Sequence, residues 1–332
     1  MRYMKFLVFS LSLLLCSALF SCSESETTVQ EEVKGYMPTL TANINPIQHS
    51  RTQVNGSTGD LKWTADDALL VFVHETGKTP TSAAEWQTCR YKFVTDAVHC
   101  TTNSFWQAKE KEKVLKLDPS KQYDWYVMAP YCETVISPVG DGIFRFDNPV
   151  QDFANETRHL GTKTIMTCVD LDVPANEKVA INLQHQATLM TFKVYNKLGV
   201  DMTPKQISFE TKTHTPTYIG GTFAIDFQQG IQPIEAKPSV HIDFANAPVV
   251  KPESFFEAYA IMPPFSLNTG EQFRIQVITD KSNSLQTSTM RKPIAFKAGT
   301  INRASVKVTH LSVSNNINPW ESQGEIEGEI EL

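Results

Sequence analysis

Adjacent carboxylates at Asp66 and Asp67, eight histidines and six cysteines are the residues of this sequence with the potential for chemistry. Two carboxylates can cleave a glycosidic bond when they flank a cleft at about 5 to 10 Å. Neighbours on a strand point to opposite faces, so Asp66 and Asp67 read instead as a solvated turn. Zinc needs clustered Cys or His ligands. Here the histidines stand singly and no C-x-x-C occurs. His185, in LQHQATLM, reads as a partnered strand residue rather than a ligand. The sequence contains no G-x-S-x-G, H-E-x-x-H, G-x-G-x-x-G or phosphate-binding glycine loop. These residues therefore predict no catalytic group, no metal site and no cofactor. Trp63, Trp86, Trp106 and Trp125 crowd one half of the chain. Tryptophan in a β-rich protein is more often core, with a sugar-stacking platform as the alternative.

The cysteines carry a different chemistry. Arg2 and Lys5 precede FLVFSLSLLLCSALF, fifteen residues without a charge. That is the charged and apolar pattern of a secretory signal, and it falls short of the ~20 apolar residues of a membrane span. Residues Leu19-Phe20-Ser21-Cys22 resemble a bacterial lipobox, which implies removal of residues 1–21 and lipid attachment at Cys22. Phe20 is bulkier than the usual residue at its position. Cys16, with apolar chain on both sides, reads as part of the signal. The following SESETTVQEEVKG has four glutamates and no aromatic, too little apolar surface to fold, so residues 22–36 read as a flexible acidic tether. An acidic run there also resembles the surface-export signal of Bacteroidales lipoproteins; a plain solvated linker is the alternative.

Of the 332 residues, 30 are Lys or Arg and 36 are Asp or Glu. Losing Arg2 and Lys5 with the signal lowers the basic count from 30 to 28, for a net charge of −8. Such a balance argues against a nucleic-acid partner. Export permits disulfides among Cys89, Cys100, Cys132 and Cys168. Cys89 and Cys100 flank RYKFVTDAVH, and a hairpin there would set them opposite each other as a candidate disulfide, although spacing alone does not fix the pairing.

Short runs of period two dominate the rest: TLTANI, ALLVFV, CRYKFV, VLKLD, YDWYVMA, VAINL, LMTFKVY, GTFAIDF, FRIQVIT and ASVKVTHLSV. No segment sustains a helical apolar stripe over three turns; SAAEWQ and QDFAN offer a turn or two. The pattern predicts an all-β fold of sandwich or barrel type with long loops. Pro174 and the polar residues after it suggest a boundary near residue 175, giving sandwiches over 37–175 and 176–318 and a terminal strand or tail over 319–332.

The order TLTANINPIQHSRT, LKWTADDALLVFV, YDWYVMAPY, LQHQATLMTFKV, AYAIMPPF and FKAGTINRASVKVTHLSVSNNINPW resembles the fimbrillin-like (type V pilin, Mfa-like) lipoprotein family of Bacteroidales. The likeness runs from about residue 38 to the C-terminus; residues 76–113 do not map onto it. It implies two tandem β-sandwich domains of transthyretin-like architecture and a surface lipoprotein without enzymatic activity, either a pilus subunit or an accessory or tip adhesin. A surface glycan-binding lipoprotein is the rival reading. The resemblance also implies that an arginine-specific protease cuts after an Arg following the first strand, which then leaves an edge open to a strand of another subunit. Arg51 holds that position; an ordinary loop arginine is the alternative. The implied partners are other fimbrial subunits through β-strand addition, the outer membrane through lipid on Cys22, and a host or bacterial surface receptor or glycan. In GEIEGEIEL, Ile326, Ile330 and Leu332 share one face and the glutamates the other, as a donor strand requires. The last strand of its own sandwich is the plainer alternative for that segment.

Overall fold

The computed structural model describes residues 40–44, 67–93, 104–108, 115–146, 149–152, 158–175 and 179–310. The chain divides into units at Met1–Lys34 and Gly35–Leu332, and every described residue belongs to the second. The fold is all-β. In chain order the first strands are β1 (Leu40–Ile44), β2 (Ala68–Glu75), β3 (Gln87–Phe93), β4 (Ser104–Ala108), β5 (Gln122–Ala129), β6 (Val139–Phe146), β7 (Val150–Gln151), β8 (Met166–Pro174) and β9 (Val179–His185). Seven of them close into a barrel of order β1-β4-β3-β2-β5-β8-β9, with β9 returning to β1.

The unbroken apolar run of β2 follows from burial on both of its faces. Leu69, Val71 and Val73 point into the barrel, where they meet Tyr91, Trp125, Val127, Ile181 and Leu183. Leu70 and Phe72 point outwards into a second cluster with Trp86, Tyr126, Phe144, Phe146, Phe223 and Ile225. The strand that covers this outer face comes from far along the chain.

The later strands are β10 (Thr188–Asn196), β11 (Pro204–Lys212), β12 (Gly220–Asp226), β13 (Gly230–Lys237), β14 (Ser239–Phe244), β15 (Phe255–Met262), β16 (Phe265–Leu267), β17 (Gln272–Thr279), β18 (Asn283–Thr289), β19 (Ile294–Phe296) and β20 (Ile301–Val308). A three-stranded sheet β15-β10-β20 and a five-stranded sheet β18-β17-β11-β14-β7 contribute a third cluster containing Phe192, Phe209, Phe256 and Phe273. β10 alternates between buried and half-buried positions along its length, as the period-two pattern predicts. β12 joins β6 and β13 in a separate sheet that packs on the barrel's outer cluster. Gly221 lies there at φ +98°, where a Cβ would come within 2.4 Å of the Glu235 carbonyl oxygen, so only glycine fits the close approach of β13.

Two departures from the sequence expectations have physical causes. In the expected strand VLKLD, Leu115 and Leu117 are buried and Lys116 is exposed, but the described residues 115–118 form no strand. The Gln87 side chain takes the place of a neighbouring strand: its Nε2 donates to the Lys116 carbonyl (3.3 Å) and its Oε1 accepts from the Lys116 amide (2.8 Å). The boundary expected near residue 175 falls between β8 and β9, and both of these belong to the barrel. Pro174 marks the end of a strand, and the chain leaves the barrel only after His185. A similar amide device closes the outer edge of β15. Gln151, fully buried, donates to the Glu257 carbonyl (2.9 Å) and accepts from the Tyr259 amide (3.2 Å), satisfying backbone groups that an open edge would leave unpaired.

Candidate functional site: the slot of the first strand

The period-two run LTANI forms β1, a strand of only five residues. It lies parallel to β9, with Leu40 opposite Val179 and Ile44 opposite Leu183, and antiparallel to β4, with Leu40 opposite Trp106 and Ala42 opposite Ser104. Leu40 is 0% exposed and belongs to the barrel core with Val179, Ile181 and Leu183. Full burial of one such side chain contributes roughly 1.5–3 kcal/mol, and the ladders on both sides hold the rest of the strand.

β9 depends on β1 more than on its neighbour in sequence. β8 meets β9 only at Met166↔His185 and Thr167↔Gln184. On its other edge β8 pairs β5 along its length, from Met166↔Ala129 to Pro174↔Gln122, with a register irregularity between Asp170↔Trp125 and Val173↔Tyr123. The ladder to β1, on the edge of β9 opposite β8, covers Val179 to Leu183 and is the only backbone ladder over that stretch among the described residues. Removing β1 would strip β9 of that ladder, strip β4 of its outer partner and uncover the core around Leu40's position. The result is an open groove with two backbone edges, a form that accepts an extended strand.

Of the residues singled out in the sequence, Cys22, Arg51, Trp63, Asp66, Cys100, Ile326, Ile330 and Leu332 lie outside the described residues. Cys89 is buried on β3 in the barrel core, so the structure leaves its expected partnership with Cys100 open. Cys132 and Cys168 are free thiols, and burial pushes the Cys168 thiol above its ordinary value. Asp67 and His185 are buried. Trp106 belongs to β4. Trp125 is 0% exposed inside the barrel and Trp86 is 7% exposed. Trp86 packs edge-on against Phe72, His74 and Tyr126. Neither indole presents a face on which a sugar could stack, which removes these two from the platform that the sequence left open.

Among the described residues, no group of three or more His, Cys, Asp or Glu is placed to hold a metal ion. The barrel instead uses its titratable groups structurally. Asp124 accepts from the Thr76 hydroxyl (2.8 Å) and the Asp172 amide (2.9 Å), and its other oxygen lies 3.6 Å from His74 Nε2. These bonds hold the irregular stretch where β8 crosses β5. A second feature escaped the sequence reading: Ala180, Asn182, Gln184 and Gln186 line one side of a cleft outside the barrel. Its signal in the sequence is the polar half of the alternation in VAINLQHQ.

No protein-family model and no curated protein matches the sequence. Solved structures do. A protein described as a candidate cell adhesion protein from Bacteroides ovatus matches at a TM-score of 0.52 and 14% identity, covering 82% of this chain and 92% of that one. A second candidate cell adhesion protein, from Bacteroides uniformis, matches at a TM-score of 0.49 and 13% identity, over 82% and 94% of the two chains. The tip fimbrial protein Mfa3 from Porphyromonas gingivalis matches at a TM-score of 0.38 and 10% identity, over 81% and 95%. At these identities the first likeness establishes a shared fold, and the function has to be argued from the site.

Proposed function

We propose that the protein is a fimbrillin-type surface lipoprotein, a pilus subunit or an accessory or tip adhesin, and that β1 is a replaceable strand. Lipid on Cys22 holds the uncut chain at the outer membrane. Cleavage after Arg51 frees β1, and a strand from a neighbouring subunit fills the slot. The C-terminal segment, with Ile326, Ile330 and Leu332 at alternate positions, is the donor. The carrying observation is the place of β1 between β4 and β9, where it pairs Val179 to Leu183, a stretch of β9 that has no ladder to β8 on its other edge. A shared fold with a candidate cell adhesion protein supports the same reading.

Cleavage also separates the subunit from Cys22, so anchorage and polymerisation exclude each other in one chain. The purified protein, treated with an arginine-specific protease and followed by light scattering, is expected to form oligomers that survive mild denaturant. Arg51→Ala and deletion of residues 324–332 are each expected to keep it monomeric. A wild-type chain that remains monomeric after a verified cut at Arg51 would reject strand exchange in favour of a capping role.

A further inference from the structure

The divergence of β8 from β9 leaves more than an unpaired edge. A cleft of 500 Å³ opens there, between the two strands and the Phe227-Gln228 corner that links β12 to β13. Its volume falls in the range of about 300–1,000 Å³ typical of small-molecule sites. Four carboxamide residues, Asn182, Gln184, Gln186 and Gln228, line it together with Asp170, Cys168, Val169 and the buried Thr167. No Lys or Arg does.

The chemistry of this lining selects a ligand class. Each carboxamide offers two donors and an acceptor with two lone pairs, and a hydroxyl both donates and accepts. Such groups match the vicinal hydroxyls of a sugar. The described lining holds no cation to pair with a phosphate or carboxylate, and the Asp170 carboxylate opposes an anion directly. So polar a lining also disfavours an acyl chain. Gln228 is held in place from outside the cleft: its backbone amide donates to Asp226 Oδ1 (2.8 Å) and its Nε2 to the Tyr126 hydroxyl (3.3 Å). Asn182 and Gln184, by contrast, sit at exposed positions of β9.

We propose that the cleft between β8 and β9 binds a neutral saccharide through the carboxamides of Asn182, Gln184 and Gln228, with Asp170 accepting from ligand hydroxyls. Strand exchange is not a premise of this site, which needs only β8, β9 and the β12–β13 corner. Its failure would leave the role of β1 untouched.

The test is saturation-transfer NMR on the purified full chain with mono- and disaccharides of glucose, galactose, mannose and N-acetylglucosamine, and with glucuronic and galacturonic acid as acidic counterparts. At least one neutral sugar is expected to give a signal that the acids do not. Replacing Asn182 and Gln228 together by Ala is expected to weaken that binding about tenfold, the loss expected of a few neutral hydrogen bonds. Ala180→Trp, which fills the cleft from an exposed strand position, is expected to abolish the signal and serves if the double variant misfolds. A panel with no neutral binder, acids that bind as well as neutral sugars, or an Ala180→Trp protein that binds like wild type would each overturn the assignment.

Discussion

Leu40→Asp is expected to turn the uncut protein into one that assembles without a protease. Leu40 has no exposed surface and sits among Val179, Ile181 and Leu183 in the barrel core. Truncating a buried leucine costs about 2–5 kcal/mol, and an unpaired carboxylate in its place adds its desolvation. Whole domains are stable by only about 5–15 kcal/mol, and β1 is a five-residue strand at the start of the described chain. The penalty is therefore relieved most cheaply by expelling β1 while the remaining six barrel strands keep their own ladders. The slot would then stand open with Arg51 intact. Light scattering is expected to show oligomers for Leu40→Asp and a monomer for Leu40→Ile, a swap that conserves volume and costs under about 1.5 kcal/mol. A monomeric Leu40→Asp protein with an unchanged thermal midpoint would show that β1 is not the strand that closes the groove.

The second large effect concerns the membrane. With Cys22→Ala the protein is expected to leave the membrane fraction entirely or to accumulate uncut with its signal, and to lose palmitate labelling. Two or three acyl chains anchor a soluble domain because each buried methylene contributes about 0.8 kcal/mol. Among the described residues no helix is long and apolar enough to cross a membrane. Cys16→Ala, inside the apolar stretch, is expected to change neither localisation nor labelling. Persistent membrane fractionation of Cys22→Ala with palmitate still incorporated would place the lipid elsewhere.

The strands most visible in the sequence are those whose neighbours lie on one face or on both. The alternation of VAINL and LMTFKVY and the solid run ALLVFV each record an environment that acts residue by residue. What stayed hidden depends on distant partners. β6, VGDGIFRF, carries two glycines that lower its strand signal, and Gly142 is required because a Cβ there would lie 2.6 Å from Val135 Cγ1. β13, GIQPIEAK, holds Pro233, tolerable because it is an edge strand. β8 carries Asp170 and Asp172, the latter at φ 60°, and its acidic, irregular half reads as linker. The parallel pairings of β1 with β9 and β10 with β20 join segments more than a hundred residues apart, and nothing local encodes them. For the same reason the run TLTANI could be read as a strand, while its position between β4 and β9, on which the functional argument turns, could not. The cleft beside β9 has no local signature, because it forms where two strands fail to pair.

Amide hydrogen exchange along β9 tests the role of β1 most directly. In the uncut chain, the amides between Val179 and Leu183 that bond to β1 are expected to be protected. After cleavage at Arg51 and separation of the N-terminal fragment they are expected to exchange as rapidly as open edge groups. They should regain protection when the cut chains assemble, or when a peptide of residues 324–332 is added. Protection that survives loss of β1, or that never returns on assembly, would mean that no incoming strand occupies the slot.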